Sequence, residues 1–598
     1  MSVHPLCKNI RSVLAGSAVL GLGLVVLPCI LRAQDDDPLF RSMQDELSRS
    51  IERLQLEGQE KPYYIGYRVQ EMQGYSISGS FGALVSSEPS FGRNLAVSVR
   101  VGSYKFDNTG FLSRADLFDR LGPGSRIELT IEDNYMALRR DLWLATDKAY
   151  KGAVEQLAAK RGFLESRVEK DTLPDFSRET PATMIAARKP LDFDVANWED
   201  LVRRVSAIAK DYPDLQKSSV SVSAGANHFY VVSSEGTRVR TAETTGRVVI
   251  SLSAQAEDGL PVGRTATLYA NSVDQMPTEP EIVALMKSLA DEVLALRTAS
   301  TLEETYIGPI LLTDVAACEL FQQTLVPNLS GSRLPLMEDE SLGAFAGGES
   351  ELLARIRRPV MPRYFSIYDD PGERSAYDVP LAGHYSFDDQ GVAGQRVSII
   401  ENGVLKGLPV SRRPGKNFPR SNGHGRGLSD PGTVISNLFV EAAEGKSYDE
   451  LKADLLSACK DQGLEYGVIV RHMGGASANS IAAGGISIRF GAGGATESTI
   501  AYKVWLDGRE EPLRGVTVEK LNLRTLKDIM AAGRDYSVLN TAAKPHGSVS
   551  FASVPVSIVA PSLLLEEAEI VPSEEAKEKP ALLTNPYFDD GDSSPRKN

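Results

Sequence analysis

Long alternation of apolar and polar residues is the feature that most limits the folds open to this chain of 598 residues. In NLAVSVRVG (94–102) four apolar residues alternate with small or polar ones. SVSVSA (219–224) and HFYVVSSEGTRVRTAE (228–243) repeat the pattern, and Ser-Glu-Gly at 234–236 lies where a hairpin turn is expected. Such segments are strands with one wet face. The chain must therefore build sheets whose other faces are covered.

Amphipathic helices lie between these strands and supply the cover. Apolar residues recur at helical spacing from Leu39 to Leu56, and 142–160 has helix-forming composition. Another helix is expected near Trp198 to Asp211, and Thr278 with Glu281 forms a capping box for a helix that runs to about Arg297. We interpret the charged, proline-interrupted segment 165–195 as a connector.

The chain changes character at about 301–306, where glycine-rich connections and shorter strands begin. Asn402-Gly403 and Asp507-Gly508 are hairpin-turn signals, and YDELKADLLSACKDQG (448–463) predicts a helix. The prediction is an α+β fold: an N-terminal α/β domain with a mixed sheet over 38–300, then a β-rich C-terminal domain over 301–572. Residues 573–598 are predicted to form a mobile acidic tail.

Residues 1–33 have the layout of a secretory signal. Lys8 and Arg11 precede an apolar stretch from Val13 to Leu31, and an acidic run follows at 35–37. We expect an exported protein, periplasmic or extracellular. Because Leu31 is large where a signal peptidase prefers a small residue, an uncleaved anchor through residues 13–31 also stays open.

Composition excludes one class of partner. Removal of residues 1–33 leaves 62 basic and 79 acidic residues, a net charge of −17. A body this acidic is a poor candidate for binding nucleic acid. It also leaves two cysteines, Cys318 and Cys459, which an exported protein could pair or keep as buried free thiols.

The segment ACELFQQTL (317–325) predicts a helix from about Val315 to Val326, with Asp314 as its N-cap. Glu319 and Gln323, four residues apart, share a face of that helix. Taken alone, the segment is typical of a half-buried cysteine, Cys318, beside two solvated polar side chains.

Longer segments give this helix a context. They are GSFGALVSSEPS (79–90), VSVRVGSYKFDNTG (97–110), YIGPILLTDVAACELFQQTLVPNL (306–329), SFDDQGVAGQRVSIIENGVLKGLPVSRRP (386–414), RSNGHGR (420–426), PGTVISNLFVE (431–441) and SIVAPSLLLEEAEIV (557–571). In this order they resemble the TldD/PmbA family of metallopeptidase-related proteins. The resemblance covers about residues 38–570.

The resemblance implies a specific chemistry for the helix. In catalytic members it carries His-Glu-x-x-x-His, whose histidines bind zinc and whose glutamate is the general base. Here those positions hold Cys318, Glu319 and Gln323. The family's additional cysteine ligand has no counterpart after Cys459, although His546 lies close to that place in the sequence. We therefore expect no metal, while a replaced-ligand zinc site of Cys318, His546 and Glu319 is the alternative.

Two polar segments are further candidate sites. Arg420, Asn422, His424 and Arg426 in RSNGHGR could line a groove for an extended peptide, or form a polar loop packed on its own domain. Asp388-Asp389 is typical of turn residues before a strand rather than of a cation site. His228 is interpreted as a strand side chain. No Gly-x-Ser-x-Gly elbow or phosphate loop occurs in the sequence.

Two hypotheses follow. The first is an exported, peptidase-related protein without its own zinc centre, which binds extended peptides or serves as the partner subunit of a catalytic relative. The resemblance implies a homodimer or a heterodimer with a TldD-like subunit. The second is an active metallopeptidase with replaced ligands, in which Glu319 is the catalytic base.

Overall fold

The structure is a computed structural model that describes residues 37–114, 127–165, 173–342, 348–474, 480–483, 486–489, 497–549, 552–579, 581, 583 and 585–588. The predicted signal or anchor segment lies outside the described residues. Within the described ranges, no helix combines the length and apolar character needed to cross a membrane.

The N-terminal half forms a seven-stranded sheet in the order β4-β2-β1-β6-β7-β5, with β8 paired to β7. All its pairs are antiparallel except the one between β5 and β7, so the sheet is mixed, as predicted. The strands of this half are β1 (Pro62–Ser80), β2 (Ala83–Val101), β3 (Phe111–Leu112), β4 (Ile127–Glu128), β5 (Thr183–Ile185), β6 (Leu215–Ser233), β7 (Arg238–Gln255) and β8 (Pro261–Ala270).

Helices cover this sheet in two groups. Helices α1 (Pro38–Arg53) and α2 (Tyr135–Glu165) bury apolar side chains against β1 and β2, while α3 (Val195–Ala207) and α4 (Glu279–Thr298) do so against β6 and β7. The capping box of Thr278 and Glu281 is present at the start of α4. Each predicted helix is found, although α2 is longer than the sequence indicated, and the segment expected to be a connector contains β5.

A twelve-stranded sheet forms the C-terminal half, in the order β16-β15-β12-β19-β27-β10-β20-β23-β24-β9, with β25 and β26 also paired to β27. Small two-stranded ladders join β11 to β3, β13 to β14, β17 to β18 and β21 to β22. The strands are β9 (Ser300–Thr301), β10 (Tyr306–Leu312), β11 (Leu336–Met337), β12 (Phe365–Asp369), β13 (Ser375–Ala376), β14 (Val379–Pro380), β15 (Val397–Glu401), β16 (Val404–Leu405), β17 (Gly425–Arg426), β18 (Gly432–Thr433), β19 (Asn437–Ala442), β20 (Tyr466–His472), β21 (Ser480–Ala483), β22 (Ile486–Arg489), β23 (Ile500–Trp505), β24 (Glu510–Arg514), β25 (Val516–Glu519), β26 (Ile529–Ala543) and β27 (Val554–Pro572).

Two helices pack on this second sheet. Helix α5 (Val315–Thr324) contacts β20, β26 and β27 through a continuous apolar core, and α6 (Tyr448–Asp461) packs on β10 and β20. The hairpin predicted at Asn402-Gly403 joins β15 to β16, and both residues have positive φ, 48° and 78°. The α+β fold is thus confirmed.

Polar contacts join the two halves. The buried guanidinium of Arg412 donates to the carbonyl of Ser177 at 2.6 Å and to Glu235 at 2.7 and 2.8 Å. Arg68 in β1 donates to the carbonyl of Leu428 at 2.8 Å. The sheets of the two halves are therefore fixed against each other by buried charge-assisted hydrogen bonds.

The chain after β27 returns to the N-terminal half. The N–H of Glu578 donates to the carbonyl of Gly259 at 2.9 Å, and the ring of Tyr587 stacks on Phe81 at 5.3 Å between centroids. These described residues of the tail thus contact the N-terminal half, and the mobility of the tail stays a prediction.

Candidate functional site

Helix α5 directly follows β10, and Asp314 stands between them. Asp314 has the N-cap position with φ +50°, but its side chain makes no capping hydrogen bond, contrary to the prediction. The α5 residues Ala316, Ala317, Cys318, Leu320 and Phe321 are fully buried. Since the helix is buried on so much of its circumference, even its polar side chains have little contact with water.

Cys318 points into the core rather than towards solvent. Its thiol donates to the carbonyl of Ser537 in β26 at 3.3 Å. Burial raises the pKa of Cys318 to about 12. Without a metal beside it, this thiol stays protonated at neutral pH.

Glu319 is buried as well, with 8% of its surface exposed, so the expectation of a solvated side chain was wrong. Its Oε1 lies 2.8 Å from Nδ1 of His472, the last residue of β20. Its Oε2 accepts the N–H of Met473 at 2.7 Å. Both oxygens of the carboxylate are therefore engaged by one strand end.

His472 continues the network to the N-terminal domain. Its Nε2 lies 3.1 Å from Oε1 of Glu497, and that same oxygen lies 3.4 Å from Nη1 of Arg264 in β8. The ring N–H directions of His472 miss hydrogen-bond geometry, so its contacts with Glu319 and Glu497 are ion pairs, whereas Arg264 donates a hydrogen bond to Glu497. We call the set Glu319, His472, Glu497 and Arg264 the charge chain.

The charge chain holds His472 as a cation. Burial alone would lower the pKa of His472, but the two carboxylates of Glu319 and Glu497 outweigh burial and raise it to about 9. Burial in turn would raise the pKa of Glu497, and the neighbouring His472 and Arg264 lower it instead. At neutral pH the chain thus alternates negative, positive, negative and positive.

Gln323 and Gln322 stand on the same side of α5 as Glu319. The amide of Gln323 donates to the sulfur of Met473 at 3.7 Å. The amide of Gln322 donates to the hydroxyl of Thr541 in β26 at 2.9 Å. Neither glutamine touches His472 or Cys318 in the hydrogen bonds that the described residues make.

These polar side chains border a cavity of about 1400 Å³ between the two halves of the molecule. Its wall includes six consecutive residues of β8, Arg264 to Tyr269, and a run of β26 from Val538 to Ala543. Successive side chains of a strand point to opposite faces. An unbroken run along the wall therefore means that the strand edge, not one face, borders the cavity.

Both of these edges have no strand partner in the described part of the chain. β8 pairs with β7, and β26 pairs with β27; no second strand lies along 264–269 or 538–543, although Glu497 accepts the N–H of Thr265. An unpaired edge presents a row of backbone donors and acceptors to an added strand. The cavity thus offers two templates for an extended chain, with Glu319 and Gln323 on α5 beside them.

The residues at the motif positions do not fit a zinc ion. The thiol of Cys318 is in the core, an amide such as Gln323 is a poor ligand, and Glu319 is engaged on both oxygens. The ring nitrogens of His472 point to opposite sides, so Glu319 and Glu497 do not converge on one point. Over the residues that the structure describes, no group of three or more His, Cys, Asp or Glu side chains is arranged to hold a metal.

His546 lines the cavity wall, but it does not lie beside the thiol of Cys318, its partner in the predicted replaced-ligand zinc site. Its backbone pairs with Thr433, and its Nε2 is buried without a hydrogen-bond partner. Burial lowers the pKa of His546, so the ring is neutral at pH 7. The replaced-ligand set of Cys318, His546 and Glu319 is not brought together, because Cys318 is absent from the cavity wall.

The RSNGHGR segment lies away from the cavity wall. His424 is fully buried, with Nε2 2.6 Å from Oδ2 of Asp369 and Nδ1 2.9 Å from Oδ1 of Asn422. Arg420 pairs with Glu179 at 3.0 Å, and Arg426 lies over the ring of Tyr385. This placement agrees with a polar loop packed inside the protein, partly against Glu179 of the N-terminal half, and not with a wall of that cavity.

Three other predictions concern single residues. Asp388 accepts the N–H groups of Gln390, Val392 and Gly425, as a turn residue does, and burial raises its pKa to about 6. His228 is a side chain of β6 beside Glu71, as predicted. Cys318 and Cys459 are both free and buried.

Sequence reasoning missed His472 and Glu497, the two central members of the charge chain. His472 opens the glycine-rich segment HMGGASA (472–478), a composition that is typical of a turn rather than of a site. The available signal was a histidine directly after the apolar run YGVIV (466–470), that is, at the end of a buried strand. No spacing rule connects that position to Glu319 or Glu497.

Comparison with known proteins places this architecture. A family model described as PmbA/TldA metallopeptidase C-terminal domain matches residues 305–571. A metalloprotease of Archaeoglobus fulgidus is 32% identical over 116 residues, 19% of this chain and 25% of that protein. Metalloprotease MJ0996 of Methanocaldococcus jannaschii is 25% identical over 282 residues, 45% of this chain and 56% of that protein. The chain thus spans between a quarter and about half of these relatives' lengths.

Solved structures extend the likeness to the whole fold. A structure from Thermotoga maritima has a TM-score of 0.55 at 16% identity, covering 89% of this chain and 100% of that one. TldE from Thermococcus kodakarensis has a TM-score of 0.53 at 13% identity, with coverage of 89% and 100%. Residues 305–571 therefore belong to the PmbA/TldD family of metallopeptidase-related C-terminal domains, and the overall fold is similar to that of these solved structures.

Proposed function

We propose that this chain is an exported member of its family that binds extended peptides in the cavity between its domains and has no zinc centre of its own. The observation that carries the proposal is that the Glu319 carboxylate is buried and already has partners within the protein. The carboxylate that would activate water in a zinc peptidase is buried and taken up by His472 and the N–H of Met473. The fold around helix α5 is retained, but the charge chain stands where a zinc centre would be.

Peptide binding is the activity that the cavity supports. An extended peptide can add its backbone to the free edge of β8 or of β26, and main-chain hydrogen bonds then supply affinity without regard to sequence. The side chains that border these edges include Ala266, Leu268, Leu539 and Ala542, which favour apolar or small peptide side chains. The expected ligand is an unstructured segment of low charge.

A role in proteolysis follows if the bound peptide is passed to a catalytic subunit. We propose a heterodimer with a relative that carries His-Glu-x-x-x-His, with the homodimer as the other arrangement. The motivation is that the zinc-binding positions here hold Cys318 and Gln323 while the surrounding framework persists. Export is proposed from Lys8, Arg11 and the apolar stretch 13–31.

The test of peptide binding uses backbone chemistry. A labelled ten-residue peptide of alternating Val and Thr is prepared in two forms, N-methylated on its odd or on its even residues. Added to a strand edge, a peptide uses the N–H groups of one set of alternate residues. We expect one form to bind at least about tenfold more weakly than the other, because several hydrogen bonds of about 1 kcal/mol each are lost. Equal binding of both forms, or no binding of the unmodified peptide, would reject the edge-addition mode.

A matched pair of variants locates the binding site. Thr267→Trp places a large side chain on the β8 edge in the cavity, while Val85→Trp places the same group on a surface residue that is 72% exposed. We expect Thr267→Trp to weaken peptide binding and Val85→Trp to leave it unchanged. The opposite order would place the peptide outside the cavity.

The competing function is an active metallopeptidase with replaced ligands. It is favoured by the presence of Glu319, His472, Glu497 and His546 on one cavity wall. Its signature is cleavage of the unmodified peptide that a chelator stops and that Glu319→Gln abolishes. Binding without cleavage, with Glu319→Gln still binding, supports the first proposal instead.

A further inference from the structure

A second, smaller pocket lies on the C-terminal domain and is lined mainly by basic side chains. Its volume is about 500 Å³, and its lining consists of Arg355, Arg358, Pro359, Arg524, Lys527 and Asp528. It shares no lining residue with the cavity between the domains. What it binds is thus independent of the proposed function.

One wall of this pocket is fixed by backbone pairing with β16. The N–H of Arg357 donates to the carbonyl of Leu405 at 2.9 Å, and the N–H of Leu405 donates to the carbonyl of Arg358 at 3.1 Å. Leu352 and Val360, on either side of the segment, are 1% and 4% exposed. The two arginines of this wall therefore extend from a backbone anchored in the core.

The opposite wall is a 3-10 turn, Thr525–Lys527, that is anchored in the same way. Leu526 within the turn is 1% exposed, while Arg524 and Lys527 beside it are exposed. The carbonyl of Asp528 accepts the N–H of Glu566 at 2.9 Å. Both walls thus carry cationic side chains on backbone segments that are anchored in the core.

The charges of the pocket are mostly unmatched. Arg355 forms an ion pair with Glu351 at 3.4 Å, and Asp528 supplies the acidic charge of the lining. Within the described ranges, Arg358, Arg524 and Lys527 have no acidic partner at ion-pair distance. Cations that share a pocket repel one another, in a chain whose net charge is −14. An anion bound among them would relieve that repulsion.

We propose that this pocket binds a phosphate group. Guanidinium groups present paired N–H donors that match the oxygens of a phosphate, and Lys527 adds a mobile point charge. Arg358 and Arg524 with Lys527, cations on two walls of one pocket, suit a phosphate with several free oxygens better than a single carboxylate. The group can belong to a soluble phosphate compound or to the headgroup of an anionic lipid.

The test has one arm for each source of phosphate. Inorganic pyrophosphate is titrated into the full chain by calorimetry, and vesicles of phosphatidylglycerol or of phosphatidylcholine are sedimented with it. The pocket variant is Arg358→Glu with Arg524→Glu. The matched control is Lys105→Glu with Lys217→Glu, which changes the net charge equally at two exposed lysines outside the pocket.

We expect saturable binding of pyrophosphate, or binding to phosphatidylglycerol but not phosphatidylcholine vesicles, that the pocket variant loses by at least about tenfold and the control retains. Binding in the pyrophosphate arm alone identifies a soluble ligand, and binding in the vesicle arm alone identifies a lipid headgroup. No binding in either arm, or equal loss in pocket and control variants, overturns the proposal. An unchanged thermal unfolding midpoint in both variants ensures that a loss reflects the pocket and not misfolding.

Discussion

Oε1 of Glu319 lies 2.8 Å from Nδ1 of His472, and its Oε2 accepts the N–H of the next residue, Met473, at 2.7 Å. One carboxylate on α5 is thereby bound to the end of β20 by both of its oxygens. In a zinc peptidase the corresponding oxygen must reach a metal-bound water. The pairing of Glu319 with His472 and Met473 is therefore incompatible with the position of a zinc-peptidase base.

The first prediction concerns stability and pH. His472 has a pKa of about 9 in the folded protein, above its ordinary value of 6.5. A group whose folded pKa is raised stabilises the fold fully below its unfolded pKa, and the contribution disappears as pH rises through the folded pKa. The free energy of unfolding should therefore fall by about 3 kcal/mol between pH 6.5 and pH 9.5.

Urea unfolding across this pH range measures the effect, with His472→Gln as the comparison. The variant should be less stable than the natural protein at pH 7 by about 3 kcal/mol, because Glu319 and Glu497 lose the cation between them. Its stability should vary much less over the same window. A natural protein whose stability is flat from pH 6.5 to 9.5 would show that His472 is not held as a cation.

The second prediction concerns the thiols of Cys318 and Cys459. Both are free and buried, and burial raises the pKa of each. In the native state, a form of the protein that begins at residue 34 should have almost no thiol that reacts with Ellman's reagent. In guanidinium chloride two thiols per chain should react, since Cys7 and Cys29 are absent from this form. No reactive thiol in denaturant would instead indicate a disulfide.

The third prediction concerns the junction of the two domains. Arg412 is 2% exposed, donates to Ser177 and Glu235, and lies 3.7 Å from the ring centre of Phe176. Arg412→Ala should lower the free energy of unfolding by about 3–5 kcal/mol, because it leaves Glu235 without its buried partner. Arg412→Lys should lower the free energy of unfolding by less than Arg412→Ala does. It should still be less stable than the natural protein, since a single ammonium cannot replace the guanidinium fork.

Thermal and urea unfolding of both variants measure this effect. Arg420→Ala is the control, because Arg420 also pairs across the domains with Glu179 but is 65% exposed at its side chain. It should cost about 1 kcal/mol or less. Equal effects of Arg412→Ala and Arg420→Ala would mean that burial does not set the strength of the junction.

Much of the fold could be predicted because its signals are local. Alternation in 94–102 and 219–224 identified β2 and β6, and the capping box at Thr278 and Glu281 located the start of α4. Each of these signals depends on neighbours within a few residues. The change in composition near residue 301 coincides with the start of the second sheet at β9, while the division into two domains stays a prediction.

The candidate site could be predicted only in part, because its contacts are distant in sequence. Glu319 was identified through the family resemblance, but His472, Glu497 and Arg264 come from β20, the segment before β23, and β8. The loop of His424 was open to two interpretations because its partner Asp369 lies at the end of β12. The neighbours of Glu319 and of His424 in the sequence do not indicate which distant side chain each of them contacts.

Helix α5 is proposed to hold no zinc, and the metal content of the purified protein decides this. The protein from residue 34 onwards is purified from a secretory host without chelator and dialysed against zinc. Its metal content is then measured by mass spectrometry, beside the triple variant Cys318→Ala, Glu319→Gln, His546→Ala. We expect far less than one zinc per chain in both proteins. About one zinc per chain in the natural sequence and none in the variant would contradict the proposal that the chain has no zinc centre. It would favour an active metallopeptidase with replaced ligands.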